Sequence, residues 1–166
     1  MVVLIETDRL LLRPLVASDL EELVRLHEDR EVTRFIRPMG SEEAQARLLL
    51  AEREWRERGH GILAVLDRGD GRFLGRTGLK YWPQFEETEI GWVLRREEWG
   101  HGYATEAAHA CLDCAFESLE LPYITAMIHA DNERSNAVAR RLGMSPLRTD
   151  ILMGDEVVVH SLNRRR

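Results

Sequence analysis

Short apolar runs alternate along the chain with stretches in which apolar residues recur every third or fourth position. Glu6 to Leu15 contains the run Leu10-Leu11-Leu12-Arg13-Pro14-Leu15, closed by proline, which predicts a first strand. Ser18-Asp19-Leu20-Glu21 has the spacing of a capping box, and Leu20, Leu23, Val24 and His27 follow at helical spacing. After a break at Pro38-Met39-Gly40, a second capped helix is predicted from Ser41 to about Arg58. Its apolar face carries Ala44, Leu48, Ala51 and Trp55.

From Ile62 the pattern shortens to strand length. Ile62 to Leu66 and Phe73 to Tyr81 read as strands joined by the hairpin signal Asp67-Arg68-Gly69-Asp70-Gly71, and Pro83 ends the pair. Thr88 to Leu94 is the next strand, and Arg95 to His101 leads into a helix from Tyr103 to about Ser118. Ile124 to Ile128 is a short buried strand, and Asp131 to Leu142 contains a short helix stopped by Gly143. Leu147 to Met153 and Glu156 to Leu162 form a closing hairpin around Gly154-Asp155. The order β-α-α-β-β-β-α-β-α-β-β predicts an α+β (mixed α/β) fold. Its centre is a mostly antiparallel mixed sheet with helices on both faces. No repeat or low-complexity linker divides the 166 residues, so one domain spanning 1–166 is expected.

Composition narrows the class. Hydrophobic residues at 44% and charged residues at 31% describe a globular chain, with disorder expected only at the basic Arg164-Arg165-Arg166 end. No apolar run approaches the roughly 20 residues of a membrane span. Met1-Val2-Val3-Leu4-Ile5-Glu6 lacks the cationic segment and cleavage site of a secretory leader. Two cysteines make no disulfide framework, which agrees with a reducing cytoplasm as the location. A net charge of −6 argues against nucleic-acid partners and leaves room for a cationic substrate. Lys80 is the only lysine.

The chemistry concentrates between Glu89 and Ala107. A strand runs into a turn with Gly100 and Gly102, and the turn opens a helix. Helix-initial amides lack internal partners, the helix dipole is positive there, and glycine lets a ligand approach the backbone. Such a turn is an anion site. A Rossmann fingerprint is excluded, because the position after Tyr103-Ala104 is Thr105 rather than glycine; the P-loop sequence Gly-Lys-Ser/Thr is absent. A glycine-rich connection without a ligand stays open on these grounds alone.

Four segments in order resolve the choice: Glu6-Thr7-Asp8-Arg9-Leu10-Leu11-Leu12-Arg13-Pro14-Leu15, Glu89-Ile90-Gly91-Trp92, Trp99-Gly100-His101-Gly102-Tyr103-Ala104-Thr105-Glu106-Ala107 and Asn132-Glu133-Arg134-Ser135-Asn136. Together they resemble the GCN5-related N-acetyltransferase (GNAT) superfamily and, within it, the RimJ/RimL-type branch. The resemblance implies acetyl-CoA as cosubstrate, no metal, and direct transfer to an amine. The superfamily's phosphate motif is Gln/Arg-x-x-Gly-x-Gly/Ala, and here Trp99 takes its first position, Gly102 its fourth and Ala104 its sixth. Tryptophan departs from the usual polar residue and suits packing better than a polar contact.

By the same resemblance, Trp92, Val93 and Leu94 offer amides to the pantetheine and the oxyanion. Trp99, Gly100, His101, Gly102, Tyr103, Ala104 and Thr105 form the pyrophosphate turn. Asn132, Asn136 and Arg141 are further cofactor contacts, with Arg140 an alternative to Arg141. Glu89 is the candidate base, against its reading as a surface carboxylate beside Glu86 and Glu87. Ser135 is the candidate acid, against a helix-capping role shared with Asn132. Phe35, Trp82 and Glu87 are the acceptor candidates, with Glu87 beside Glu86 at the mouth of the acceptor pocket and Arg34 and the Met153 region nearby. The expected acceptor is a primary amine, with a protein N-terminus, ribosomal proteins included, first in view. Polyamines, amino acids and antibiotics are alternatives on the same fold. A non-catalytic acyl-CoA-binding module is the rival of another class. A homodimer is allowed by the resemblance but has no signal in the sequence. Cys111 and Cys114 share a helical face and read as packing, while the six histidines show no zinc-ligand spacing.

Overall fold

The protein was analysed as a computed structural model that describes residues 3–165; Met1, Val2 and Arg166, and with them parts of the leader and basic-tail readings, lie outside the described residues. The strands are β1 (Ile5–Glu6), β2 (Leu10–Pro14), β3 (Ile62–Asp67), β4 (Phe73–Trp82), β5 (Glu87–Leu94), β6 (Tyr123–His129), β7 (Ser145–Leu152) and β8 (Asp155–Asn163). The helices are α1 (Leu20–Glu28), α2 (Ser41–Arg58), α3 (Tyr103–Ser118) and α4 (Glu133–Arg141). All eight strands form one sheet in the order β1-β2-β3-β4-β5-β6-β8-β7. Every pairing is antiparallel except β5 with β6.

Several local predictions are corrected. The first strand is a hairpin, because Thr7 Oγ1 accepts the Leu10 amide (2.9 Å) and the Thr7 amide donates to the Leu10 carbonyl (3.0 Å). These bonds turn the chain within what reads as one strand. The capping box at Ser18 is not formed either. A 3-10 turn, Ala17–Asp19, precedes α1, and the Asp19 carboxylate accepts the Val16 amide and binds Arg13 through both oxygens at 2.7 and 2.8 Å. An ion pair to β2 thus replaces the hydroxyl cap. Helix α2 begins at the expected Ser41, with Gly40 at its N-cap and no side-chain cap bond. At the other end the Arg164 amide still bonds the Pro122 carbonyl (2.9 Å), so order runs into the basic tail.

The sheet separates two apolar layers. On one face Leu10, Leu12, Leu74, Ile90 and Ile124 pack against Ala107, Cys111 and Leu112 of α3 and Val138 and Ala139 of α4. On the other Ile62, Ala64, Leu66 and Phe73 meet Leu23 and Leu26 of α1 and Ala44 and Leu48 of α2. No helix among the described residues is long and apolar enough to cross a membrane.

His27, on α1, is 2% exposed. Its Nδ1 bonds the Leu23 carbonyl at 2.8 Å, which leaves Nε2 to accept from Arg76 Nη2 at 3.2 Å. Burial first, and the Arg76 charge second, push its pKa down to about 4. The unfolded chain takes up this proton near pH 6.5, well before the folded one. The stability held at neutral pH is therefore complete above about 6.5 and lost as pH falls through about 4. The difference corresponds to about 3 kcal/mol at most. Denaturant unfolding across this window should show the decline, and His27→Gln should flatten it in part, since His60 and His160 are shifted the same way by burial. An identical slope in His27→Gln would assign the decline elsewhere.

Candidate active site

The one parallel pairing shapes the site. β5 and β6 meet in register at Glu89 opposite Thr125. Beyond it Gly91–Leu94 and Met127–His129 diverge, leaving Trp92, Val93 and Leu94 on one wall of a groove. Asn132, Ser135 and Arg141 line the α4 side, Trp99, Gly100 and Gly102 to Thr105 the α3 side, and Phe35 the rim. The groove encloses about 1440 Å³, more than a compact ligand of ordinary size fills, and suits a long one.

The glycine turn is built as the anion argument requires. Gly100 and Gly102 both have φ of +79°, and Gly102 is the N-cap of α3. Trp99 Nε1 donates to the Leu94 carbonyl at 3.1 Å and its ring lies 3.7 Å from the Arg134 guanidinium. The indole ties the turn to the end of β5, the packing role expected of it. Arg9 Nη1 donates to the His101 carbonyl (2.8 Å), Arg9 Nε donates to Glu106 (2.7 Å), and the guanidinium stacks 4.4 Å over Tyr103. His101 itself does not line the groove; its ring faces the Glu98 carbonyl. Thr105 Oγ1, by contrast, is buried against the groove with no partner in the protein. A buried orphan hydroxyl beside free helix-initial amides fits a phosphate oxygen. Arg134 and Arg141 of α4 add positive charge to the same groove.

Glu89 stands where the strands part, half-buried rather than on the surface. Its Oε1 accepts from Trp82 Nε1 (3.2 Å) and its Oε2 from the Met127 amide (3.0 Å). Burial raises its pKa, opposed by those two bonds and then by Lys80 and Arg47. A carboxylate held by two donors, with a raised pKa, has the properties of a base at neutral pH. Trp82 touches the site only through this bond, since the indole lies outside the groove lining and holds Lys80 Nζ 3.8 Å from its ring.

At α4, Asn132 Oδ1 accepts the Ser135 amide (3.3 Å), the capping role, and both side chains face the groove. Ser135 Oγ accepts from Trp92 Nε1 at 3.3 Å, which leaves its own proton available. Asn136 turns inward: its amide donates to the His129, Ala130 and Asn132 carbonyls and its Oδ1 meets His160 Nε2 at 2.9 Å. Glu87 is not at a pocket mouth. It is 7% exposed, bound through both oxygens by Arg148 (2.8 and 2.9 Å) and by Tyr123 Oη (3.1 Å). Its charge is already matched within the fold. Phe35 does reach the groove, with its ring 5.2 Å from that of His129.

Sequence patterns give no sign of a role for Arg9, Arg134 and the cations Arg47 and Arg76 around Glu89. The isolated Lys80 was the one available signal for that last cluster. Among the described residues, no group of three or more His, Cys, Asp or Glu could hold a metal ion.

Comparison with known proteins agrees with this geometry. The family model for the acetyltransferase (GNAT) domain matches residues 9–145. YkkB of Bacillus subtilis is 38% identical over 104 residues, which cover 55% of this chain and 59% of that protein. The uncharacterized N-acetyltransferase YnaD of the same organism is 30% identical over 145 residues, covering 84% and 81%. A crystal structure of an acetyltransferase from Agrobacterium tumefaciens superposes with a TM-score of 0.87 at 30% identity, over 98% of this chain and 95% of the other. RimL, a ribosomal L7/L12 alpha-N-protein acetyltransferase solved with coenzyme A, shares the fold at a TM-score of 0.82 and 18% identity, over 97% and 98% of the two chains. GNAT acetyltransferases use acetyl-CoA, and this chain, with its glycine turn at the start of α3 and its groove between β5 and β6, belongs to the GNAT family of N-acetyltransferases.

Proposed function

We propose that the chain acetylates the primary amine of an acceptor, a protein amino terminus foremost, by direct attack within a ternary complex in the cytoplasm. The observation that carries this reading is Glu89, poised at the fork of β5 and β6 with a raised pKa. RimL, a ribosomal L7/L12 alpha-N-protein acetyltransferase with the same fold, supports a polypeptide acceptor.

The thioester supplies the acetyl group when bound. Gly100, Gly102 and the first amides of α3, with Thr105, would hold its pyrophosphate, while Asn132 and the exposed edge of β5 would hold the arm. Glu89, directly or through one water, takes a proton from the acceptor ammonium. The freed nitrogen forms a bond to the acetyl carbon, and a β5 amide from Trp92 to Leu94 stabilises the oxygen as it gains charge. The carbon–sulfur bond then breaks with its electron pair on sulfur, and Ser135 or solvent returns a proton there. The second proton of the nitrogen passes to solvent as the amide forms.

Gly91 offers a test that leaves these groups in place. It lies between Glu89 and Val93 on one face of β5, and a Cβ there would meet nothing within 4 Å. Gly91→Leu should therefore fold, bind acetyl-CoA within about threefold of the parent by calorimetry, and lose tenfold or more in thiol release with amino-terminal peptides. Full turnover in that variant would move the acceptor elsewhere. Absence of any acetyl-CoA binding by the parent would remove the proposal itself.

A further inference from the structure

On the face of the sheet covered by α1 and α2, alternation aligns Arg76, Gly78, Lys80 and Trp82 of β4 with Val93, Gly91, Glu89 and Glu87 of β5. Arg47 is half-buried on α2 between Ala44 and Leu48, which pack on this face of the sheet, and its charge lowers the pKa of both Arg76 and Lys80. Three cations and the carboxylate of Glu89 gather here, with Glu54 of α2 a weaker influence on Lys80 than Arg47 or Glu89 is. Glu87 is already bound to Arg148.

The cations lack the ion pairs that the other half-buried arginines of this chain have. Arg13 pairs with Asp19, Arg95 with Glu22 and Arg148 with Glu87. Among the described residues no ion pair within 4 Å reaches Arg47, Arg76 or Lys80. Carboxylates are not scarce, for the chain carries a net charge of −6. Arg76 is only 9% exposed, and its Nη2 meets the lone pair of a neutral imidazole, which orients the guanidinium without neutralising it. Arg76 Nε and Arg47 Nε are both buried without a partner. Unmatched charge of this kind is costly and calls for an explanation, of which a ligand that completes it is one. The space for one is present: Gly78 and Gly91 are register partners, so no side chain rises between the Lys80–Glu89 row and the Arg76–Val93 row, and the space above Gly91 is open.

We propose that this hollow is an anion subsite for the acceptor. The amine acetylated at Glu89 belongs to a molecule with a carboxylate close by, an amino acid or a peptide with an acidic second residue, and Arg47, Arg76 and Lys80 hold that carboxylate. This assignment rests on the acetyltransferase reading above and supplies its substrate class. A polyamine would meet like charge here.

The test uses matched acceptors with the intact chain: L-serine against L-serinamide, and Ser-Asp-Ala-amide against Ser-Asn-Ala-amide. In at least one pair the carboxylate member should be preferred tenfold or more in kcat/KM. The preference should shrink fivefold or more in Arg47→Gln and in Lys80→Gln, chiefly through KM. Taking the ratio between variant and parent cancels the differing basicity of the amines. The pair that responds separates the free amino acid from the peptide. Equal use of both members of both pairs, or a preference that neither variant moves, overturns the subsite. If no acceptor turns over, calorimetry with N-acetyl-serine and with N-acetyl-Ser-Asp-Ala-amide in the presence of CoA decides it. Binding to the parent that is lost in Arg47→Gln sustains the subsite, and no binding of either overturns it. Acetyl-CoA titrated alone reports separately on the acetyltransferase reading. The two half-buried positions are chosen because Arg76→Gln risks the fold.

Discussion

Glu89→Gln should lower kcat at least a hundredfold while the Kd for acetyl-CoA stays within about twofold. The size follows from losing general base catalysis, which contributes about 10²–10⁴-fold. The selectivity follows from position, because Glu89 lies outside the groove lining, where its carboxylate accepts only from Trp82 and the Met127 amide. Glutamine keeps the volume but has one acceptor oxygen for two donors. One of Trp82 Nε1–H and the Met127 N–H is then left facing an NH₂ group, and a modest loss of stability of about 1–2 kcal/mol accompanies the change. Part of that loss is offset, because burial no longer opposes a charge there.

The pH dependence gives a second readout. Burial raises the Glu89 pKa, so the parent's kcat/KM should fall as pH drops through that raised value and the carboxylate is protonated. In Glu89→Gln the same limb should vanish while the residual rate persists. A kcat unchanged by the substitution would take Glu89 out of the chemistry and leave it as a bridge between β4 and β6.

How much of this was readable beforehand varies with the physics involved. Helices α2 and α3 and the β3–β4 hairpin were plain, since periodicity, glycine punctuation and proline stops are local signals. The β1–β2 turn was not, because a threonine hydroxyl bonding three residues ahead competes with an apolar run that looks continuous. The cap of α1 failed for a similar reason: Ser18 and Glu21 have the right spacing, but Asp19 is fixed by an arginine on another element. Within the site, Glu89, Asn132, Ser135 and the glycine turn were located by resemblance and meet along one groove and its fork. Glu87 and Asn136 were misjudged in orientation, because strand register and helix face decide whether a polar group looks inward, and both depend on neighbours far along the chain. The unpaired arginines were invisible, since an arginine has no sequence mark that tells a bound guanidinium from an idle one.

The other large effect belongs to the turn. Gly102→Val should raise the Kd for acetyl-CoA by about thirtyfold or more. Space is not the obstacle, as a Cβ on Gly102 would meet only Arg9 Nη2 at 3.5 Å. The obstacle is φ of +79°, a region that a β-branched residue enters at a cost of about 1–3 kcal/mol. The turn relieves that strain by rotating away from the left-handed region, and the amides at the start of α3 then no longer converge on one point. About 2 kcal/mol of lost anion binding corresponds to roughly thirtyfold in Kd. Gly102→Asn is the control, because asparagine tolerates left-handed backbone and should keep Kd within about fivefold. Calorimetry with acetyl-CoA and with CoA should give the same ratio of parent to variant affinity, since the pyrophosphate is common to both. Weakening confined to acetyl-CoA would place the defect at the thioester instead, and unchanged affinity for both would mean that the phosphates bind somewhere other than the start of α3.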